Sequence, residues 1–280
     1  MPVIIPGDPR TKARKTERHL RPVRTPKTVE VKARDHLYAM IKPMIAEVSA
    51  MIPGIYAGGD MAVAAVALGG MMDKWQRAFA AASEVFGTEW ADGVDAANKA
   101  SLEKSIAKSL GVDFAGVLDQ REVRDAFEIM RAEAVGLIRT VPTDYIGRVG
   151  EALLKSYRQE REPEGRSLIA EVEELGHITH GRAKTIARDQ TSKMNANLNT
   201  IRATSLGMTE YIWRTSRDSK VVGTPGGLYP EGNRMHGNHY EREGKIFRYD
   251  KPPFDGAPGA GINCRCHSEP ILDLNHLDIV

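Results

Sequence analysis

Between Gly223 and Gly261 the chain devotes 14 of 39 residues to glycine or proline, nine and five respectively. Such a stretch cannot run as a long helix, and its turns need side chains to pin them. The polar and soft residues gathered around it are Asp218, His236, His239, Cys264, Cys266 and His267. The two cysteines are the only ones in the sequence and stand one residue apart. That excludes a disulfide framework and makes a reducing compartment the default. His236-Gly-Asn-His239 and Cys264-Arg-Cys266 together supply two imidazoles and two thiolates, the ligand set of a closed tetrahedral Zn2+ site. The Cys-x-Cys spacing is tighter than that of most structural zinc fingers. The same pair also reads as two buried thiols acting as small apolar residues. In a domain with little apolar core, a bound metal would contribute folding free energy directly. Catalysis is the other way to use these groups. A cysteine with a histidine forms a nucleophile and base, and Asp218 with His236 or His239 an acid and base. No phosphate-cradling glycine loop or nucleophile elbow accompanies them. A metal-dependent, nuclease-like DNA-processing enzyme is therefore the alternative reading, and a non-catalytic scaffold the leading one.

Upstream, residues 35 to 206 read as helical. Leu37, Met40, Ile41, Met44, Ile45, Val48 and Met51 follow amphipathic spacing, with Pro43 near the start or at a kink and Pro53-Gly54 as the end. Asp60 is placed to cap a second helix, whose pattern runs through Phe79 despite Gly69-Gly70. A third stripe, Val123 to Ile138, closes at Val141-Pro142, and Ile146, Val149, Leu153 and Leu154 form a fourth. Residues 159–167 read as a charged hinge. His177 and His180 flank a turn as capping or surface residues. His180 to Leu206 reads as one helix ended by Gly207. Residues 211–215 and 245–249 have strand composition. No run of about 18 apolar residues exists, and the longest candidate, Met61 to Met72, is too short to cross a bilayer. Met1 to Arg10 has no apolar segment of the secretory type, so no export is expected.

Charge is strongly segregated. Residues 1–34 carry ten Lys/Arg against three acids, a net +7, and leave −5 for the rest. With five prolines and few large apolar groups, this segment reads as an extended basic arm. Arg10, Lys12, Arg14, Lys15, Arg18, Arg21, Arg24 and Lys27 are its candidate contacts to a partner protein or to nucleic acid. The arm has no aromatic residue, which argues against single-strand stacking. The expected fold is mainly α, with an extended N-terminal arm (1–34), a helical domain (35–178) and a small, loop-rich α+β domain (179–280).

The C-terminal third resembles the phage Mu gpF-like head morphogenesis domain of tailed-phage minor capsid proteins. The likeness starts at Arg182-Ala-x-x-Ile186-Ala-Arg188-Asp-Gln-Thr191, with Asn195 one turn on. It continues through Gly207-x-x-x-Tyr211-x-Trp213-Arg-Thr-Ser-x-Asp218 and His239-x-x-x-x-Gly244-Lys-Ile-Phe247, and ends at Asn263-Cys264-Arg265-Cys266. The resemblance implies a structural virion protein at the head or portal, assembled in the host cytoplasm. It would act with the portal protein and other head proteins, and with packaged double-stranded DNA, in head assembly, packaging or ejection. It implies no catalytic residue. Asp218, His239, Asn263, Cys264 and Cys266 become an architectural polar cluster, with His236, His239, Cys264 and Cys266 as candidate zinc ligands.

Overall fold

Apolar stripes at helical spacing produce four long helices in the computed structural model, which describes residues 16–111, 121–158, 167–232 and 237–274. They are α1 (Lys27–Gly58), α2 (Met61–Leu110), α3 (Arg121–Tyr157) and α4 (Leu168–Ser205). The α1 stripe buries Leu37, Ile41, Met44, Val48 and Ile52 as the periodicity requires. Asp60 caps α2, its Oδ1 accepting from the Ala62 and Val63 amides at 2.8 and 3.2 Å. The helices run past the breakers at which the sequence suggests ends. Pro43 and Pro53 lie inside α1 and Pro142 inside α3. Each proline removes one hydrogen bond, at about 3 kcal/mol in a helix interior. The buried stripe continues on both sides of Pro43 and Pro142, so burial outweighs that loss there; past Pro53 the last turn holds the half-buried Ile55, whose carbonyl accepts from Tyr157 Oη. Pro43 and Pro53 also sit on exposed faces, where water satisfies the freed carbonyls. The segment expected as a turn around His177 and His180 lies inside the first half of α4, where Val172, Thr179 and Ala183 carry the buried stripe. Of the charged hinge expected at 159–167, residues 159–166 lie outside the described residues.

Four short strands form one antiparallel sheet: β1 (Glu17–His19), β2 (Glu210–Arg214), β3 (Ile246–Arg248) and β4 (His267–Asp273), in the order β1-β4-β2-β3. Strand β2 is central, pairing Tyr211 with Phe247 of β3 and with Pro270 of β4. Strands β2 and β3 match the composition-based expectation, whereas β1 and β4 carry no such signal. α4 ends as expected at Gly207, whose φ of +77 suits glycine. Its amide bonds Thr204 O at 2.9 Å and the Met208 amide bonds Ala203 O at 3.0 Å, a Schellman closure.

The chain divides into two units that do not follow the expected boundaries. One comprises Glu30–Trp90 and Arg131–Arg188, and is a helical body. In it Tyr157 Oη donates to Ile55 O at 2.8 Å, and the Phe86 ring stacks between His36 and Trp90, with centroids 4.1 and 5.4 Å away. The other comprises Met1–Val29, Ala91–Met130 and Asp189–Val280. The sheet-bearing unit therefore takes in the described arm residues 16–29, part of α2 and the start of α3. Of the expected arm, residues 16–26 are extended but not loose. β1 pairs with β4, and Leu20 and Val23 enter a core of Leu102, Ile106, Ala203, Met208 and Leu272. From Lys27 the chain is helical, which corrects the expected boundary at 34. Arg10, Lys12, Arg14 and Lys15 lie outside the described residues. Beside that core runs a buried polar network. Asn98 Nδ2 donates to Asn195 Oδ1 at 3.0 Å, Asn195 Nδ2 to Val23 O at 3.1 Å, and Arg202 Nη1 to Asn98 Oδ1 at 2.8 Å.

Candidate metal centre

β2 supplies the floor of the site. Alternation along a strand sends Tyr211 and Trp213 to one face, where both are fully buried and pack with Phe247 and Tyr249. The glycine- and proline-rich chain then wraps over this aromatic floor, anchored by α4. Asp189 Oδ1 accepts from the Asn263 amide at 2.9 Å, and Ser192 Oγ donates to Cys264 O at 2.9 Å. Asn263 adopts φ of +58, which directs its amide to Asp189 and turns the chain into Cys264. At Gly259, φ is +90 and a Cβ would lie 2.8 Å from Ala196 Cβ, so only glycine lets the loop lie against the helix. The quoted α4 motif is thus a mount for this loop.

Three expected ligands meet under the wrap. His239 Nδ1 lies 3.6 Å from Cys264 Sγ and 3.5 Å from Cys266 Sγ. The three residues are 8, 8 and 5% exposed, and their ligand atoms all lie within 4.8 Å of one another. His239 precedes a short 3₁₀ turn (Tyr240–Arg242) whose amide at Tyr240 donates to Val222 O at 3.0 Å. The imidazole stands edge-on to Trp213, with centroids 5.1 Å apart. Its other nitrogen, Nε2, lies 3.0 Å from Asp255 Oδ2, and the Asp255 side chain is only 2% exposed. Arg242 Nη1 pairs with the same carboxylate at 2.7 Å, and its guanidinium lies 4.8 Å over the Trp213 ring. In the tautomer with its proton on Nε2, directed at Asp255, the Nδ1 lone pair faces both sulfurs.

The electrostatics favour a thiolate at Cys264. The Cys266 hydrogen bond and then His239 hold the Cys264 thiol well below its ordinary range, against the opposing effect of burial. Cys264 and burial push Cys266 well above it. Burial lowers His239, but Cys264 and Asp255 outweigh it and leave the imidazole more basic than usual. A neutral nitrogen donor and two sulfurs, buried and converging, can hold a metal ion.

The remaining expected residues lie elsewhere. His236 lies outside the described residues. Asp218 is outside the cluster, its Oδ1 accepting from Arg265 Nη2 at 2.6 Å and from the Lys220 amide at 2.9 Å, which closes a surface turn. Asn263 contributes its backbone. His267 opens β4, with burial lowering its basicity. Asp255 and Arg242 are the members that sequence reasoning missed, because nothing in their spacing ties them to His239 or the cysteines. Among the described residues no helix is long and apolar enough to cross a membrane.

The chain is similar to an uncharacterized protein of Haemophilus influenzae, 28% identical over 268 residues, which cover 92% of this chain. It spans 56% of that relative's length. No protein-family model matches the chain, and no solved structure does.

Proposed function

We propose that this chain is a structural minor head protein of a tailed bacteriophage, acting with the portal in head assembly, packaging or ejection. Its sheet-bearing unit serves there as a non-catalytic scaffold braced by zinc on His239, Cys264 and Cys266. The ordered motif string from Arg182 to Cys266 supports the virion role. The burial of the cluster carries the non-catalytic reading. A hydrolytic metal or cysteine nucleophile needs an approach for substrate, whereas here the ligands are at most 8% exposed. The donor geometry favours zinc. Bond lengths of about 2.1 Å to nitrogen and about 2.3 Å to sulfur at a tetrahedral angle give an N···S edge of about 3.6 Å. The two observed separations are 3.6 and 3.5 Å. The Asp255–His239 pair is the carboxylate–histidine support that such sites use. With Zn2+ bound, the group supplies cross-linking of three loop positions, which stands in for the apolar core the loop lacks.

Two measurements test the two halves. Metal analysis of protein purified without chelator is expected to give about one equivalent of zinc, lost in Cys264→Ser/Cys266→Ser; less than about 0.2 equivalents would end the bracing role. Proteomics of purified particles from the producing host is expected to find the chain in the virion. Its absence from every particle, or DNA cleavage that is lost on His239→Ala while the fold survives, would overturn the structural role.

A further inference from the structure

The segment from Glu17 to Lys27 repeats every three residues. Glu17, Leu20 and Val23 are buried, while Arg18, Arg21, Arg24 and Lys27 are exposed. A period of three belongs to extended, polyproline-II-like chain, and Pro22 and Pro26 stiffen this stretch. The inward positions fix it. Leu20 and Val23 sit in the core with Leu102, Ile106 and Leu272. The backbone is bonded along its length. Thr16 O accepts from the Leu274 amide at 2.8 Å, and the Leu20 amide donates to Pro270 O at 2.9 Å. The Arg21 amide donates to Ser105 Oγ at 2.6 Å, and Val23 O accepts from Asn195 Nδ2 at 3.1 Å. Four cations therefore project in a row from a fixed rail, spaced by roughly 9 Å at a rise of about 3.1 Å per residue. In the sequence the same interval continues backward at Lys15 and Lys12.

We propose that this row is a sequence-independent binding rail for the phosphate backbone of double-stranded DNA. The proposal goes beyond the virion role and does not rest on it. The outward row carries no aromatic or large apolar side chain. It thus has neither the anchors of a protein–protein hot spot nor the stacking platforms of a single-strand binder. What it presents is regularly spaced positive charge, in a chain whose residues beyond 34 sum to −5. The complement is a surface of dense, regular negative charge, and duplex DNA carries one charge per about 1.7 Å of axis. Four cations over roughly 28 Å match about eight base pairs. Arginine suits this contact because its planar fork bonds phosphate oxygens in pairs.

The test uses the full chain and a labelled random-sequence duplex, with anisotropy measured across a salt series. The parent is expected to bind with a log–log salt slope of about −3.6, from four phosphate contacts at about −0.9 each. Arg21→Gln/Arg24→Gln is expected to weaken binding roughly tenfold at low salt and to reduce the slope by about 1.8. Arg21→Lys/Arg24→Lys, which keeps the charge, should retain the slope. Lys42→Gln/Lys184→Gln, exposed lysines of the helical body, should match the parent. An unchanged unfolding midpoint checks that each variant is folded. Absence of duplex binding by the parent, an unchanged slope in the glutamine pair, or an equal loss in the helical-body control would overturn the assignment. So would displacement by polyglutamate as efficient as by duplex, which would point to an acidic protein surface instead.

Discussion

Asp255→Asn separates the structural work of the Asp255 carboxylate from its work on the candidate metal. The side chain is 2% exposed and faces two donors, His239 Nε2 at 3.0 Å and Arg242 Nη1 at 2.7 Å. The amide keeps the shape but offers one acceptor oxygen instead of two, and no charge. Arg242, with a side chain 11% exposed, then keeps a buried positive charge over the Trp213 and Phe254 rings, without the carboxylate that balanced it. Removing one partner of a buried pair costs about 3–5 kcal/mol, and the slight exposure of Arg242 places this case near 3. That loss is independent of metal. The second loss depends on it, because an imidazole no longer held through Nε2 presents Nδ1 less well. Such outer partners are worth about 10–100-fold in metal affinity, or about 1.4–2.7 kcal/mol. The expected result is destabilisation of about 3 kcal/mol in chelator and about 4–6 kcal/mol with zinc saturating. Denaturant unfolding under both conditions measures it, with zinc competition against a chromophoric chelator for the affinity itself. Arg242→Met/Asp255→Asn sharpens the test. It removes the stranded cation, so stability in chelator should recover while zinc affinity stays low. Zinc affinity in Asp255→Asn within about two-fold of the parent would refute the orienting role.

Three further outcomes are expected. Arg202 is fully buried and its Nη2 bonds Asp95 Oδ1 at 2.7 Å, so Arg202→Met and Asp95→Asn should each cost about 2–4 kcal/mol. Their double variant should show a coupling of about 1–2 kcal/mol in urea unfolding, and simple additivity would dismiss the pair as a unit. Gly259→Ala forces a non-glycine residue to φ of +90 and a methyl to 2.8 Å from Ala196 Cβ, which should cost about 2–4 kcal/mol. Ala196→Gly should recover the packing part of that loss and leave the backbone part. Glu243 accepts from the Thr215 amide and hydroxyl at 2.6 and 2.8 Å. Burial opposes its ionisation, but these bonds and Arg217 outweigh it and hold the carboxyl below its ordinary 4.5. Its contribution is therefore complete above that value and fades as pH falls through the lower folded value. Acid-titrated unfolding midpoints should fall less steeply in Glu243→Gln, and an unchanged acid limb would count against the site.

The helices were legible because each stripe repeats over many turns, and burial along Leu37 to Ile52 exceeds what one proline removes. Their ends were not, since Pro43, Pro53 and Pro142 are local signals and the packing that overrides them is tertiary. Strand β2 was legible from Tyr211-Ile212-Trp213. Strand β4 was not, because His267-Ser-Glu-Pro270 has polar and proline content, and it becomes a strand only through its partners β1 and β2. Of the arm, residues 16–26 are extended, in keeping with their prolines. Its burial escaped notice because Leu20 and Val23 are too few to signal a core until Leu102 and Leu272 are beside them. For the site, residue chemistry identified His239, Cys264 and Cys266. Asp255 sits among glycines and prolines with no periodicity to mark it, so only the folded chain brings it to His239.

The arrangement has a physical logic that joins these parts. A loop with so many glycines and prolines gains little from apolar burial and has large conformational entropy to lose. Its order must come from discrete anchors. Asp189 and Ser192 on α4 hold one limb, the Asp255–His239–Arg242 pairing ties another, and the sulfurs of Cys264 and Cys266 close on the imidazole. The two cysteines flank one residue, and positions i and i+2 of extended chain share a face, so both sulfurs can reach the same nitrogen. The chain also turns just before Cys264. The left-handed Asn263 provides that turn. Asn263 sets where that segment begins, its amide held by Asp189 Oδ1 at 2.9 Å. A β-branched residue there should misplace Cys264 and lower both metal affinity and stability, even with all three donor side chains intact.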